Sequence, residues 1–416
     1  MLSYFTPFIP AGPDGFNVLT IAGAFPTPIQ PWLVNHLVEI CRHGGDNRII
    51  SRREELEYIS SAVLENELHK KYWSLPKEKS KLIPLFFSSM RDANIRKRTL
   101  EILQRYDSCD RKLKHKLVDM LIAPVLSLQP DIIHSHSEPL GTRLFPLIKA
   151  NGAPFVQTFH GLTPIGVPTI SREQRGIYSR AAKAIFVNTD FARRQYEAIG
   201  GESDNFIIVP QGIDLERWQY SPSAPPENAP LNLLTVGRLD HEKGHIYVLN
   251  AVANLLKKGF DVHYHIVGRG PNREYLQNKA KELGIANHVT MYGVLIDEQL
   301  TEIYRKSHIF ILPSLRSPDG LWEETQGVVL QEAQATGLHV IACDSGGISE
   351  CLDKGKYGFL VQDRNSQAIA QSVEKILANK SSWRQRQDAA RKWVETQYSL
   401  TAIGRKMNNF YRQVRE

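Results

Sequence analysis

Three short segments of this 416-residue chain combine residue types that can hold an anion and a polyol. The first is Gly237-Arg238-Leu239-Asp240-His241-Glu242-Lys243-Gly244, directly after the apolar run 231–236. A glycine there lets backbone approach a ligand closely, and Arg238 and Lys243 can point at one anion. Taken singly, the segment equally reads as a glycine turn with two solvated cations. It is not a Walker A loop, which needs a second glycine followed by Lys and Ser or Thr. The second segment, Gly268-Arg269-Gly270-Pro271-Asn272-Arg273, begins like a dinucleotide fingerprint but lacks the third glycine. Pro271 at a first helical position predicts a tight turn that starts a helix. The third segment runs from Pro313-Ser314 through Glu323-Glu324-Thr325-Gln326-Gly327-Val328 to Glu332. Here Glu324 falls in a loop and Glu332 in a helix that starts near Gly327. The amides of Gly327 and Val328 open that helix and make an anion seat. Carboxylates on either side can grip sugar or ribose hydroxyls, although an acidic helix start that complements the dipole is the plainer alternative.

These segments need scaffolding that aims them at one place. The runs 17–25, 131–137, 154–160, 184–189 and 205–210 are rich in Val, Ile and Phe and read as parallel strands covered on both faces. Amphipathic stretches such as 31–44 and 190–201 separate them, the latter with Asp190 as N-cap and Gly200 as stop. The segment 221–230 carries four prolines and no apolar periodicity, as an exposed connector would. Beyond it the alternation restarts, with strands at 231–237, 261–268, 288–293, 309–314 and 339–343. Helices at 245–259, 271–284, 297–306 and 327–337 lie between them, and the final 65 residues read as helical. Strands alternating with helices predict βαβ units and parallel sheets. The expected organisation is an amino-terminal α/β domain over 1–220, a linker over 221–230, a second α/β domain over 231–396 and a terminal helix over 397–416. Doubly wound sheets bind ligands at the carboxyl ends of their strands, and two facing domains leave a cleft between them.

The ordered set of Gly237-Arg238-Leu239 with Lys243-Gly244, Gly268-Arg269-Gly270-Pro271, Pro313-Ser314, Glu324-x-x-Gly327, Glu332-Ala333 and Ser345-Gly346-Gly347-Ile348-x-Glu350 resembles glycosyltransferase family 4. The resemblance spans about residues 17–395 and is strongest over 231–351. The amino-terminal half is similar too, in Asp131-Ile132-Ile133-His134-Ser135-His136, Thr158-Phe159-His160-Gly161 and Val209-Pro210-Gln211-Gly212-Ile213-Asp214. The segment from Phe25-Pro26 to Gly44 is like that of exopolysaccharide-type members. One departure stands out: many relatives carry paired glycines after the first strand, where this chain has Gly23 before Phe25-Pro26.

The resemblance implies the GT-B fold, two Rossmann-like domains facing a cleft, and transfer of a hexosyl group from a nucleoside diphosphate with retention. It implies that Arg238 and Lys243 stabilise the departing diphosphate, whose charge grows in the transition state. By the same pattern Glu324 holds donor-sugar hydroxyls, Glu332 the ribose hydroxyls, and Gly237, Gly268, Gly327 and Val328 lie on the donor. Val294 sits where relatives hold the base through main chain, and His160 meets the donor sugar from the opposite wall. The departing phosphate can take the acceptor proton on the same face; a two-step route through a carboxylate, with Glu324 as nucleophile, is the alternative. No Asp-x-Asp occurs, so no cofactor and no metal are expected beyond the nucleotide-sugar co-substrate. His134 and His136 could suggest a metal, but no third ligand is evident from sequence, and strand-end packing or substrate contact is the favoured reading. A nucleotide-sugar epimerase of the same architecture and a non-catalytic sugar-nucleotide-binding scaffold are the competing functions. The terminal helix is expected to cross back to the first domain.

Composition narrows the setting. At 42% hydrophobic and 23% charged the chain is ordinary globular material, and four cysteines without a C-x-x-C pair suit a reducing compartment. The first basic residue is Arg42, and no apolar run approaches the length of a membrane span, so a soluble cytoplasmic protein is expected. The net charge of +7 is concentrated: residues 67–116 hold 14 Lys/Arg against 6 Asp/Glu. Interleaved with Tyr72, Trp73, Leu75, Ile83, Leu85, Phe86 and Phe87, this stretch could lie on an anionic membrane face, or be a solvated helical surface. Nucleic acid is disfavoured, since no binding motif accompanies the charge. The expected partners are a nucleoside-diphosphate sugar, UDP-linked first and GDP-mannose second, and a saccharide acceptor, preferably lipid-linked.

Overall fold

A computed structural model describes residues 2–5, 8, 15–27, 31–56, 59–107, 111–162, 170–317 and 322–415. Among these residues the strands form two sheets in which every pairing is parallel. The first comprises β1 (Asn17–Ala22), β2 (Asp46–Ser51), β3 (Tyr72–Ser74), β4 (Ile132–Ser135), β5 (Phe155–Phe159), β6 (Ala184–Val187) and β7 (Phe206–Ile208). Their spatial order is β3-β2-β1-β4-β5-β6-β7. The second comprises β8 (Leu231–Val236), β9 (Val262–Val267), β10 (Val289–Gly293), β11 (Ile309–Leu312), β12 (His339–Cys343) and β13 (Phe359–Val361), ordered β10-β9-β8-β11-β12-β13. In each sheet the strand order reverses beside the first strand, at β1/β4 and at β8/β11. A crevice opens there at the carboxyl ends, which is where such folds bind ligands.

The apolar runs explain the interior. Val18, Leu19 and Ile21 of β1 and Ile309, Phe310 and Ile311 of β11 are buried on both sides, because helices cover both faces of each sheet. The helix His245–Lys257 lays Val248, Leu249, Val252 and Leu255 on one face of the second sheet. The helices Val328–Thr336 and Trp383–Gln397 cover the other.

Four readings of the sequence need correction. Strand β2 was not anticipated, because its Asp46, Asn47 and Arg48 look like a turn. They are buried, with the Arg48 guanidinium 2.8 Å and Lys71 Nζ 2.9 Å from the Asp46 carboxylate. Strand β13 lies inside the stretch read as wholly helical. Thr189, not Asp190, caps the helix Asp190–Ala198, its hydroxyl accepting from the Ala192 amide at 3.2 Å. Pro271 lies in a turn with Asn272, and the helix begins at Arg273.

The Pro-rich connector is pinned at its start: the Ser221 amide donates to the Thr336 carbonyl and Trp383 Nε1 to the Ser223 carbonyl. The last helix, Leu400–Arg415, packs on the helix Pro31–Arg42 of the first half. An added Cβ at Gly404 would stand 2.5 Å from Glu39 Oε2, so glycine permits this close crossing. Arg415 also donates to the Gly15 carbonyl at 2.6 Å.

Candidate active site

The second sheet sends four loops to one edge. Gly237 follows β8, Gly268 follows β9, Val294 follows β10 and Ser314 follows β11. The Gly268 amide donates to the Gly293 carbonyl at 2.7 Å, and the Gly237 amide to the Val267 carbonyl at 2.9 Å. Gly268 has φ +143°, and a Cβ there would sit 1.8 Å from the Gly237 carbonyl oxygen. Only glycine fits, and it lets the two turns press together at the rim of the crevice. Val294 is exposed beside them.

Lys243 and Glu324 meet across this edge as an ion pair, and the Ser314 hydroxyl donates to the same carboxylate oxygen at 3.1 Å. Lys243 Nζ also lies 5.2 Å from the centre of the Trp322 ring. Burial alone would raise the Glu324 carboxyl, but Lys243, Ser314 and Arg238 outweigh it and hold the group below its ordinary value, as an anion. Arg238 is 54% exposed and pairs with Asp240 at 2.9 Å. It therefore contributes to the field at Glu324 while its guanidinium faces solvent.

Gly327 takes φ +72° and starts the helix Val328–Thr336, whose first turn no side chain caps. One turn in, the Glu332 carboxylate accepts from the Tyr304 hydroxyl at 2.9 Å. Burial pushes its pKa up to about 7, against the lowering effects of Tyr304 and Arg217.

The opposite wall comes from the first sheet. His160 follows β5, lies tilted against Trp32 with ring centres 3.9 Å apart, and contacts His136 Nδ1 through Nε2 at 3.2 Å. Burial drives its pKa down to about 3, so the ring is neutral. Segments 324–326 and 188–211 join the two walls. The Thr325 hydroxyl donates to the His160 carbonyl at 3.1 Å, Thr189 donates to the Thr325 carbonyl at 2.8 Å, and Gln326 exchanges two hydrogen bonds with the Gln211 backbone. The Glu350 carboxylate accepts from the Asp190 and Phe191 amides at 2.7 and 2.8 Å, capping a helix of the other domain.

Gly237, Arg238, Lys243, Gly268, Glu324, Gly327 and Val328 thus line or adjoin one side of the cleft, and His160 lies on the other. Two independent family models match end to end: "Glycosyltransferase Family 4" over residues 88–217 and "Glycosyl transferases group 1" over residues 216–393. The chain belongs to the family 4 glycosyltransferases. Among curated members, the GDP-mannose-dependent alpha-(1-6)-phosphatidylinositol monomannoside mannosyltransferase of Mycolicibacterium smegmatis is 30% identical over 248 residues, which are 57% of this chain and 64% of that one. The Mycobacterium tuberculosis enzyme of the same description is 26% identical over 231 residues, and this chain spans about 60% of its length. Among solved structures, Anabaena HepE in complex with UDP superposes with a TM-score of 0.69 at 15% identity, covering 96% of this chain and all of that one. The fold of this family 4 member is accordingly GT-B, two parallel-sheet α/β domains about a cleft.

Sequence reading missed several residues of this site. Trp32, Trp322 and Thr325 carried no assigned role in the sequence, even where Thr325 lies within Glu324-x-x-Gly327 and Trp32 within 25–44; their roles come from contacts made across the chain. His36 is the third imidazole beside His134 and His136, supplied by the amphipathic stretch over 31–44, in which sequence reading placed no ligand.

Proposed function

We propose that this chain is a retaining glycosyltransferase that moves a hexosyl group from a nucleoside-diphosphate sugar to a saccharide acceptor. The Lys243–Glu324 pair, set at the switch point between β8 and β11 and next to Thr325, which bonds the His160 carbonyl, carries the reading. Lys243 links the two halves of the donor: its ammonium can neutralise the diphosphate while orienting the carboxylate that grips sugar hydroxyls. Arg238, whose guanidinium is 54% exposed while it pairs with the less exposed Asp240, adds a second charge.

In the reaction the bond from the anomeric carbon to the phosphate oxygen breaks, and the electron pair leaves with the diphosphate. The acceptor oxygen bonds to the same carbon on the same face, and its proton passes to the departing phosphate. Charge accumulates on the phosphate, where Lys243, Arg238 and the Gly327–Val328 amides stabilise it without reorganising. Glu324 then serves as an anchor. One of its oxygens is already shared by Lys243 and Ser314, which weakens it as a nucleophile. Glu332 would hold the ribose, Val294 the base through main chain, and Gly237 and Gly268 the phosphate side of the rim. No metal is required at the diphosphate in this scheme.

A UDP-sugar is the first donor, in line with the UDP complex of HepE, and GDP-mannose the second, in line with the mycobacterial relatives. For the acceptor, a lipid-linked saccharide is supported by the basic stretch. Trp73 and Leu85, two of its apolar residues, go into the core. Ile83 and Phe87 remain exposed on the helix Leu82–Ser89, and Leu113, Leu117 and Met120 on the neighbouring helix Leu113–Ile122. Lys79, Lys81, Lys112 and Lys114 lie exposed around them, a combination that suits a cytoplasmic anionic leaflet. Among the described residues no helix is long and apolar enough to cross a membrane.

The test is direct. Purified protein is incubated with UDP- and GDP-sugars, and release of nucleoside diphosphate is followed with and without acceptor. Sugar transfer with the donor's anomeric configuration in the product supports the reading. Release of no diphosphate from any donor would leave a binding scaffold, and an epimerised nucleotide sugar would indicate an epimerase.

A further inference from the structure

Beside His160, a helix, one strand end and the returning terminal helix converge on one spot. His36 comes from the helix Pro31–Arg42, His134 and His136 from the end of β4, and Tyr411 from the helix Leu400–Arg415. Among the described residues these three histidines are the one group whose side chains could hold a metal, with a nitrogen from each within 4.8 Å of the others. His36 Nε2 and His136 Nε2 are 3.3 Å apart. That spacing matches the edge of a tetrahedron with metal–nitrogen bonds of about 2.0–2.1 Å. The Tyr411 hydroxyl touches His134 Nδ1 and lies 3.3 Å from His36 Nε2, so it marks the same point from the fourth side.

We propose that His36 Nε2, His134 Nδ1 and His136 Nε2 form a binding site for one divalent transition-metal ion of the zinc type, with the Tyr411 oxygen at the fourth position.

The outward nitrogens are arranged as metal-bound histidines require. His134 Nε2 meets the Thr158 hydroxyl at 2.7 Å, and His136 Nδ1 meets His160 Nε2 at 3.2 Å. Partners of this kind fix ring orientation and tautomer for ligation. Three imidazoles and no thiolate or carboxylate suit Zn²⁺, Cu²⁺ or Ni²⁺ better than Mg²⁺ or Ca²⁺, which prefer oxygen. The ion would tie the terminal helix to β4. By occupying His136 Nε2 it would place the proton on Nδ1, facing His160. It is separate from the diphosphate seat, where the cations are side chains.

The full chain, free of any affinity tag and stripped with chelator, is titrated with Co²⁺ as a spectroscopic stand-in, then with Zn²⁺. The expected result is one equivalent of Co²⁺ with the visible absorption of a four-coordinate site, displaced by Zn²⁺, and a melting temperature raised by Zn²⁺. His36→Gln should weaken binding by more than about a hundredfold, and Thr158→Val, which removes only an outer partner, by about tenfold. Wild-type protein that binds no stoichiometric Co²⁺, or binds it with a six-coordinate spectrum, overturns the site. So does an unchanged affinity in a His36→Gln protein with native circular dichroism. The absorption of the wild type decides the matter even where a variant fails to fold.

Discussion

The Thr325 hydroxyl donates across the cleft to the His160 carbonyl at 3.1 Å, so the residue next to Glu324 is bonded to the backbone of the opposite wall. A Cβ on Gly161 would stand 2.4 Å from the Thr325 methyl, so the contact is close as well as polar. The carboxylate proposed to hold the sugar is thus tied to the opposite domain through its neighbour, and closure should be coupled to catalysis. Thr325→Val keeps the shape and removes the hydroxyl. The expected outcome is a fall in kcat of about fivefold to tenfold, from a lost hydrogen bond of about 1 kcal/mol, with donor binding to the open protein little changed. Equal kcat in wild type and variant would show that closure does not position the site.

Lys243 is the residue on which turnover should depend most. Lys243→Ala removes the cation from the diphosphate and leaves Glu324 half-buried without its counter-ion. Loss of one such preorganised contact costs about 3–4 kcal/mol, so kcat should drop by a hundredfold to a thousandfold. Arg238→Ala should cost less, because its guanidinium is exposed and screened. Steady-state rates of donor consumption check both, and a Lys243→Ala enzyme that turns over normally would remove the proposed role.

Much of this was legible in the chain because the second domain is locally consistent. Its strands are apolar runs, its turns are glycines, and Gly268 and Gly327 occupy positions where backbone crowding or positive φ admits little else. The pairing of Lys243 with Glu324 was not legible, since it joins loops 81 residues apart. Nor was β2, whose buried Asp46–Arg48–Lys71 cluster disguises a strand as a polar turn. The third histidine was hidden for the same reason: His36 lies about 100 residues from His136 and meets it only through the fold. Sequence spacing reports what one element presents, and a site built from several elements appears only once they pack.

Glu332 should give a measurable pH signature. Its carboxyl is raised from about 4.5 to about 7 by burial, so the folded protein holds a proton there that the unfolded chain has released. Relative to Glu332→Gln, wild-type stability should be undiminished below about pH 4.5, fall as pH rises through 7, and then level off. Ribose hydroxyls donating to the carboxylate favour its ionised form. Nucleoside diphosphate should accordingly bind more tightly as pH rises across this range, beyond the change seen in Glu332→Gln, which corrects for the ligand's own titration. Thermal melts and calorimetric titrations at several pH values measure both. Identical pH slopes in the two proteins would place the carboxyl outside the nucleotide site.

Glu350 caps the helix Asp190–Ala198 from the other domain, a charge-assisted contact with the positive end of that helix. Glu350→Ala should cost about 1 kcal/mol of closure and raise the open fraction about fivefold. Small-angle scattering should then report a larger radius for the variant without nucleotide, and donor affinity should fall by a similar factor. An unchanged radius and affinity would make the contact incidental to closure.

The exposed apolar residues of the basic face lead to the last expectation. Phe87 is 64% and Leu113 72% exposed, on neighbouring helices flanked by exposed lysines. Insertion of two such side chains into a bilayer interface is worth about 1.5–3 kcal/mol each if burial is complete, and each nearby lysine adds about 1 kcal/mol on an anionic surface. The doubly substituted Phe87→Asp, Leu113→Asp protein should lose anionic-liposome binding by about a hundredfold while its melting temperature stays near wild type, since neither side chain is in the core. Wild-type binding should also weaken steeply between low and high salt, because the lysine contribution is screened within about 10 Å at 0.1 M. Sedimentation with liposomes of neutral and anionic composition separates the two contributions. Equal binding to both, or none to either, would leave this face a solvated helical surface and withdraw the support for a lipid-linked acceptor.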